Sequence, residues 1–449
     1  MAGFLIAAAH KSSGKTIIST GLSAALASDV NLQTFKKGPD YIDPMWLSLA
    51  SKKSCYNLDF NIHNENELKS FFDEKSTFSD LSLVEANKGL YDGVDLQGKD
   101  SNAALAKLLN LPVILVIDTN GMTRGIAPLL LGYCAFDKDI NIAGVILNKV
   151  GGARHEAKLS AAIKNYTDLK MVGSVWRNEK LNIGERHLGL TTPAETGKID
   201  EIIDGFSNII KQSVDLNFLK SFAKPSKIIE KKIQIKTNKK IRIGILKDQA
   251  FGFYYPDDLE SFEKYGADLI EINSLKDKTL PKIDGLFIGG GFPEIMAKQL
   301  EANFNLRDEI KIAIENGLPT YAECGGLLYL CKSLEWQEKN YEMVGVVDAK
   351  VKMNKKPQGR GYVSLKPNEN HIWAGWKNEI NAHEFHYSSI ENLGKNTDFA
   401  YEIKKGFGID GQNDGIVIHN LIAGFCHLRN NPQNIWVKHF VEFVKSKTS

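Results

Sequence analysis

What most limits the folds open to this chain is the texture of its strand candidates, which are apolar almost throughout instead of alternating. "FLIAAA" (4–9), "NLQTFKK" (31–37), "LSLVEA" (81–86), "PVILVID" (112–118), "IAGVILNKV" (142–150) and "MVGSV" (171–175) read as buried strands, and all but "NLQTFKK" have this character. Stretches such as "NAALAKLLN" and "HEAKLSAAIKNY" between them carry helical periodicity. A strand without a polar face must be covered on both sides, which fits a parallel sheet between two layers of helices. The first two hundred residues therefore predict a doubly wound α/β domain. From 207 to 240 the chain turns lysine-rich with no long apolar run, and it reads as an exposed connection. A second series then begins: "IRIGILKD" (241–248), "ADLIEIN" (267–273), "IDGLFIGGG" (283–291) and "LPTYAE" (318–323). Later runs, "YEMVGVVDAKV" and "GIVIHNLIAGFCHL", look antiparallel. The expected organisation is a domain over 1–206, a linker over 207–240 and a second domain over 241–449.

Composition narrows the function classes. The 449 residues carry 56 Lys and Arg against 54 Asp and Glu, a net charge of +2, with 43% hydrophobic and 24% charged residues. Such a balance offers nothing to nucleic acid or an anionic membrane. The longest apolar stretches fall well short of the ~20 residues that span a bilayer. The first residues run into a phosphate-loop pattern without a basic n-region, so they read as a buried strand and not a signal peptide. Five cysteines with no C-x-x-C pair suggest neither a disulfide framework nor a zinc site, and a reducing cytoplasm is expected.

Ser13-Gly14-Lys15-Thr16 follows the first strand and opens an apolar helical pattern. Strand, glycine loop and helix in that order form a phosphate cradle: backbone N–H groups hold the polyphosphate of ATP, Lys15 meets its outer phosphates, and the Thr16 hydroxyl ligates Mg2+. The first glycine of the usual spacing is Ala9 here. The bland alternative, a glycine that merely starts a helix, does not account for all three parts in sequence. Magnesium also wants carboxylates, and Asp40, Asp43, Glu85 and Asp92 lie at or just past predicted strand ends, where ligands bind in such sheets. A lone Asp there is usually a turn or helix cap. Thr16, Asp40 and Glu85 are the metal candidates.

"TYAECGGLLYL" (320–330) has the shape of a nucleophile elbow: an apolar strand, Cys324 on a tight turn, then Gly325 and Gly326 opening a helix. The helix start favours the thiolate. A base is needed, and His371, His383, His386, His419, His427 and His439 all lie downstream. Gly290 and Gly291 of "GGGF" (289–292), with Gly325, could supply an oxyanion hole and room for a substrate. Cys55, Cys134, Cys331 and Cys426 read as inert core cysteines.

"KKGPDYIDP" (36–44), "GLYDG" (89–93), "GMTRG" (121–125), "IAGVILNKVGGARH" (142–155), "ERHLGL" (185–190), "FYYPDDLE" (253–260), "FIGGGFPE" (287–294), "AECGGLLYL" (322–330), "GRGYV" (359–363) and "HEFHYSS" (383–389) occur in order through both halves. By these stretches the chain resembles the cobyrinate/cobyric acid family of glutamine amidotransferases. The resemblance implies a dethiobiotin-synthetase-like ATP-dependent domain followed by a class I glutamine amidotransferase domain. It implies ATP- and glutamine-dependent amidation of the a- and c-acetates of cobyrinate or hydrogenobyrinate in cobalamin biosynthesis, with Mg2+ as cofactor. It makes Cys324 the nucleophile and, through "AGFCHLRN" (423–430), His427 its base, and it places Asp40, Tyr41 and Asp92 at the substrate carboxylate. No third member beyond the Cys–His pair is implied. The second histidine of that family stretch is Arg429 here, and the roles of His383, Glu384 and His386 stay open. "EANKGLYDG" departs from the family's "EGVMGLYDG" at Asn87 and Lys88, which keeps other acetate-bearing tetrapyrroles such as sirohaem or nickel sirohydrochlorin in view. The implied partners are tetrapyrrole, ATP and glutamine, with room for a homodimer and none for nucleic acid or membrane. Two other classes compete. A partitioning-type ATPase switch would carry an extra lysine five residues before Lys15, where His10 stands, and a cysteine peptidase would not need the first half.

Overall fold

A computed structural model describes residues 2–181, 183–186, 189–224, 240–376 and 378–448. The chain divides into two compact units, Met1–Lys231 and Lys232–Ser449. In the first, β1 (Gly3–Ala8), β2 (Leu32–Lys37), β3 (Tyr56–Leu58), β4 (Leu81–Glu85), β5 (Val113–Asp118), β6 (Ile142–Val150) and β7 (Lys170–Trp176) form one sheet in the order β3-β2-β4-β1-β5-β6-β7. Every pairing is parallel. Leu5 and Ala7 of β1 face one layer of the core, and Phe4, Ile6 and Ala8 face the other. Both layers are buried, which is why the strands read as unbroken apolar runs. Chain order reverses at β1, whose neighbours are β4 and β5, and a crevice for ligands forms at the carboxyl ends of strands beside such a reversal.

The start of the expected linker is ordered structure. Helix Ile199–Ser213 runs through residue 207 and buries Ile203, Phe206 and Ile210, and a short helix at Leu216–Lys220 buries Leu219. Ile210, Val214 and Leu219 join the core layer of Ile18 and Leu22 from helix Lys15–Ala27. Ile203, Phe206 and Ile210 recur at i, i+3, i+7 on one face of the first helix, and each such side chain contributes ~1.5–3 kcal/mol when buried. Residues 225–239 of that expected linker, and His187 and Leu188 of "ERHLGL", lie outside the described residues.

The second unit combines two sheet styles. β8 (Ile241–Leu246), β9 (Ala267–Ile272), β10 (Gly285–Ile288), β11 (Thr320–Glu323), β12 (Gly359–Pro367), β13 (Ile380–His386), β14 (Asp398–Lys405), β15 (Asn413–Ile418) and β16 (Leu421–Gly424) form one sheet, ordered β9-β8-β10-β11-β16-β15-β14-β12-β13. From β9 to β16 the pairs are parallel, and from β16 to β13 they are antiparallel. Ile243, Phe287, Tyr321 and Ile422 face Trp436, Phe440 and Val444 of the C-terminal helix Trp436–Lys447. Leu286, Ile288, Ala322 and Ala423 face Leu306 and Ile310 on the other side. No described helix is long and apolar enough to cross a membrane.

Candidate functional site

The phosphate loop joins β1 to helix Lys15–Ala27. Gly14 has φ +83°, and a Cβ there would lie 2.3 Å from Asn148 Nδ2, so a side chain at this position would be strained and would displace the Asn148 amide. Asn148 in turn donates to the Ser13 carbonyl (2.9 Å), fixing the loop from β6. Ser13 is buried and donates from its hydroxyl to the His10 carbonyl (2.7 Å). Lys15 is buried, and its Nζ donates to the carbonyl of Lys88 (2.6 Å). Burial, with Lys36 nearby, lowers its pKa to about 8. Lys88 adopts φ +40°, a left-handed conformation that a side chain tolerates poorly, while its own side chain is exposed.

Three of the four acidic candidates converge. Lys36 Nζ lies 2.7 Å from Glu85 Oε1 and 3.9 Å from Asp40 Oδ2, and it is also paired with Asp43. Burial opposes the charge on Lys36, but Asp43, Glu85 and Asp40 outweigh it and hold the ammonium firmly protonated. Burial and the neighbouring Asp43 raise Asp40 to about 7. Glu85 is pushed up by burial and by Asp43, against the pull of Lys36. Thr16 Oγ1 donates to Glu85 Oε1 (3.2 Å), and Glu85 Oε2 is buried with no hydrogen-bond partner among the described residues. An orphaned carboxylate oxygen beside the Thr16 hydroxyl fits a divalent cation whose other ligands are phosphate and water. Among the described residues no cluster of three His, Cys, Asp or Glu could hold a metal by itself. Asp40 also serves the backbone. Its Oδ1 accepts from the N–H groups of Ile42 (2.9 Å) and Asp43 (3.2 Å), capping the helix Ile42–Ser51 that follows Tyr41. Asp92 stands apart from the Lys36 group, accepting from the Gly89 N–H (2.9 Å) within its own turn, yet its charge reaches Lys15.

In the second unit Cys324 takes φ +47° and ψ −103° between β11 and helix Gly325–Leu330, the strained corner expected of an elbow. Its N–H is held by the Gly424 carbonyl (2.7 Å), and its own carbonyl accepts from Leu328 (3.1 Å). A Cβ at Gly325 would lie 2.9 Å from Gly291 N, so the elbow and the triple-glycine turn touch backbone to backbone. A Cβ at Gly290 would lie 2.6 Å from His427 Cε1. Gly290, Gly291, Gly325, Cys324 and His427 thus lie together.

His427 hydrogen-bonds Cys324 on one side and Glu323 on the other, its Nδ1 3.4 Å from Glu323 Oε2. Burial alone would lower its pKa, but these two partners carry it up to about 10. His383 stacks on its ring (centroids 4.9 Å, planes 16° apart), and the two residues exchange backbone hydrogen bonds. Burial, His427 and Arg429 keep His383 far below the ordinary histidine range, so it stays neutral. Glu384 accepts from Phe407 and Gly408 N–H groups, and His386 stacks on Phe425. His371 and His439 belong to an aromatic cluster around Trp376, and His419 is exposed. Burial pushes the thiols of Cys55, Cys331 and Cys426 up, and all three are buried, matching their reading as core residues, whereas Cys134 is only half-buried at the edge of its core.

Lys36, Asn148 and Glu323 carry much of this geometry and were not singled out from sequence. Asn148 and Glu323 each had a signal, a polar side chain inside or ending an otherwise apolar strand run, whereas Lys36 lies in a strand with several polar residues.

Residues 242–434 match the family model of the CobB/CobQ-like glutamine amidotransferase domain, and residues 58–183 match that of an AAA domain. A cobyrinate a,c-diamide synthase of Magnetococcus marinus is 38% identical over 99% of this chain and 97% of its own. That of Caldanaerobacter subterraneus subsp. tengcongensis is 39% identical over 99% and 98%, and that of Archaeoglobus fulgidus 38% over 99% and 97%.

Proposed function

The chain belongs to the family of cobyrinate a,c-diamide synthases, and from that premise we propose that it uses ATP and glutamine to convert the a- and c-acetates of cobyrinate or hydrogenobyrinate to primary amides. The observation that carries the reading is the hydrogen-bonded Cys324–His427 pair against the triple-glycine turn, on the same chain as a Gly-Lys-Thr loop with a ring of carboxylates. The names of the relatives favour cobyrinate over sirohaem or nickel sirohydrochlorin.

In the glutaminase half, Cys324 Sγ attacks the side-chain carbonyl carbon of glutamine, and His427 gives its proton to the departing ammonia. Backbone N–H groups near Gly290, Gly291 and Gly325 face the developing oxyanion. Water then cleaves the thioester to glutamate. In the synthetase half, the substrate carboxylate attacks the γ-phosphorus of ATP, giving an acyl phosphate and ADP. Ammonia adds to the acyl carbon and phosphate leaves. A free carboxylate does not react with ammonia, so phosphorylation supplies the drive. Lys15 binds the outer phosphates, and Lys36 keeps Glu85 and Asp43 ordered around the cradle. Thr16 and Glu85 would hold Mg2+, which when bound neutralises charge on the phosphoryl group. Tyr41 and Asp92 are assigned to the substrate side.

The test is product mass after incubation with ATP, glutamine and a panel of tetrapyrroles. Conversion of two carboxylic acids of cobyrinate to amides is expected, with glutamate, ADP and phosphate released together. Amidation of sirohaem and not cobyrinate would overturn the substrate, and glutamine-independent ATP turnover without any amide would overturn the reaction.

A further inference from the structure

A Cys–His pair works only if the imidazole is held in one orientation with its second nitrogen engaged. Here Nδ1 of His427 faces Glu323 Oε2 at 3.4 Å. Glu323 directly precedes the nucleophile at the end of β11, and it is buried. Its other oxygen is tied down twice: Oε1 accepts from the Tyr321 hydroxyl (2.8 Å) and from the Leu428 N–H (2.8 Å). The second of these bonds fixes the backbone beside His427, so one carboxylate locates both the ring and the chain that carries it. Arg429, two residues past His427, is turned to Asp257, with Nε and Nη2 contacts of 3.0–3.2 Å, and its guanidinium lies over the Tyr255 ring. The charged and titratable groups around His427 are therefore Cys324, Glu323, the neutral His383 stacked on its face and the Asp257-paired Arg429.

The geometry points to Glu323 as the positioning residue of the glutaminase half-reaction: its carboxylate holds His427 with Nδ1 turned away from the thiol and stabilises the imidazolium formed when the Cys324 proton moves to the ring. The S–H bond breaks with its electron pair left on sulfur, the new N–H bond forms on the imidazole, and Glu323 takes no proton. The inference rests on the proposed pairing of Cys324 with His427 and adds the third member that the sequence did not supply.

Glu323→Gln tests it, because glutamine still accepts from Tyr321 and Leu428 but carries no charge. Two readouts are needed: kcat and KM for glutamine hydrolysis, and the rate of Cys324 alkylation by iodoacetamide across pH. The expected result is a kcat lower by about 10²-fold or more with KM little changed, within the range for impaired general acid–base catalysis. The alkylation inflection should move to higher pH, since the thiolate loses the support of a stabilised imidazolium. Tyr321→Phe removes a neutral anchor only, and it should leave that inflection in place. A wild-type kcat and alkylation profile in Glu323→Gln overturns the inference. So does a Tyr321→Phe shift as large as that of Glu323→Gln. If Glu323→Gln fails to fold, NMR titration of His427 in the unmodified protein decides: an imidazole cationic well above the ordinary histidine range supports the role, and ordinary titration overturns it. Cys324→Ala separates the role of Glu323 from the reaction it serves. Glutaminase activity surviving in it brings down the proposed function itself, whereas a dead Cys324→Ala beside a wild-type Glu323→Gln removes only Glu323.

Discussion

The two units solve the same placement problem with opposite chemistry. Each sets its key residues on the turn between a parallel strand and a helix, β1 to Lys15 in one and β11 to Cys324 in the other. In the first, the turn is surrounded by buried charge: Lys15 and Lys36 against Asp40, Asp43 and Glu85, with one Glu85 oxygen left without a partner among the described residues. In the second, the turn carries a backbone strained at φ +47° and a short chain of paired groups, Cys324, His427 and Glu323. A site that must hold a polyphosphate keeps charge in reserve for a ligand that arrives with its own. A site that makes a covalent bond fixes the reacting atoms in advance. Electrostatic reserve and geometric alignment are distinct ways to prepare a turn for chemistry.

If that contrast is right, variants at the two turns should fail differently. Cys324→Ser should abolish glutamine-dependent amidation yet leave amidation with high ammonia, while Lys15→Ala should cripple synthesis with either nitrogen source. Loss of ammonia-driven synthesis in a folded Cys324→Ser protein would erase the division between the units. Next in size, His427→Ala should lower the glutaminase rate by ~10²–10⁴-fold, the usual cost of losing a general base. His383→Ala should cost much less, because its ring packs on His427 and stays neutral. The reverse ranking, read from initial rates of glutamate formation, would move the base to "HEFHYSS".

Lys36→Met probes the charge reserve through stability. Removing one partner of a buried ion cluster costs ~3–5 kcal/mol, so the thermal midpoint of the first unit should drop sharply. Glutamine hydrolysis by the second unit should persist at temperatures where nucleotide binding is lost. An unchanged midpoint would mean that Asp43 and Glu85 do not depend on that ammonium. The smallest expected effect is on pH. Burial and the nearby Lys36 lower the Lys15 pKa to about 8, so its ammonium is present at lower pH and lost as pH rises through that point. KM for ATP should therefore climb several-fold from about pH 7 to about pH 9, with the glutamine KM following a different curve. A flat ATP profile would remove Lys15 from phosphate binding.

The sequence by itself determined the two-domain α/β plan, the order of the strands along the chain and both reactive turns, because each is written in contiguous residues. An apolar run covered on both faces, a Gly-Lys-Thr loop and a Cys-Gly-Gly corner are local patterns with few physical readings. Local composition misled at 207–224, where Lys211 and Lys220 drew attention from Ile210 and Leu219, which two successive helices bury. Only the tertiary structure decided which distant groups meet. Six histidines follow Cys324 in the chain, and nothing local ranks them. β16 pairs beside β11, and that pairing carries His427 back onto the elbow, with the sheet-edge strand β13 bringing His383 against it. Asp40, Asp43 and Glu85 likewise look like separate strand-end caps until the β2–β4 pairing sets Lys36 beside Glu85 in register. Long-range pairing depends on the sum of many weak burial terms spread over the whole chain, and no short window of sequence contains that sum.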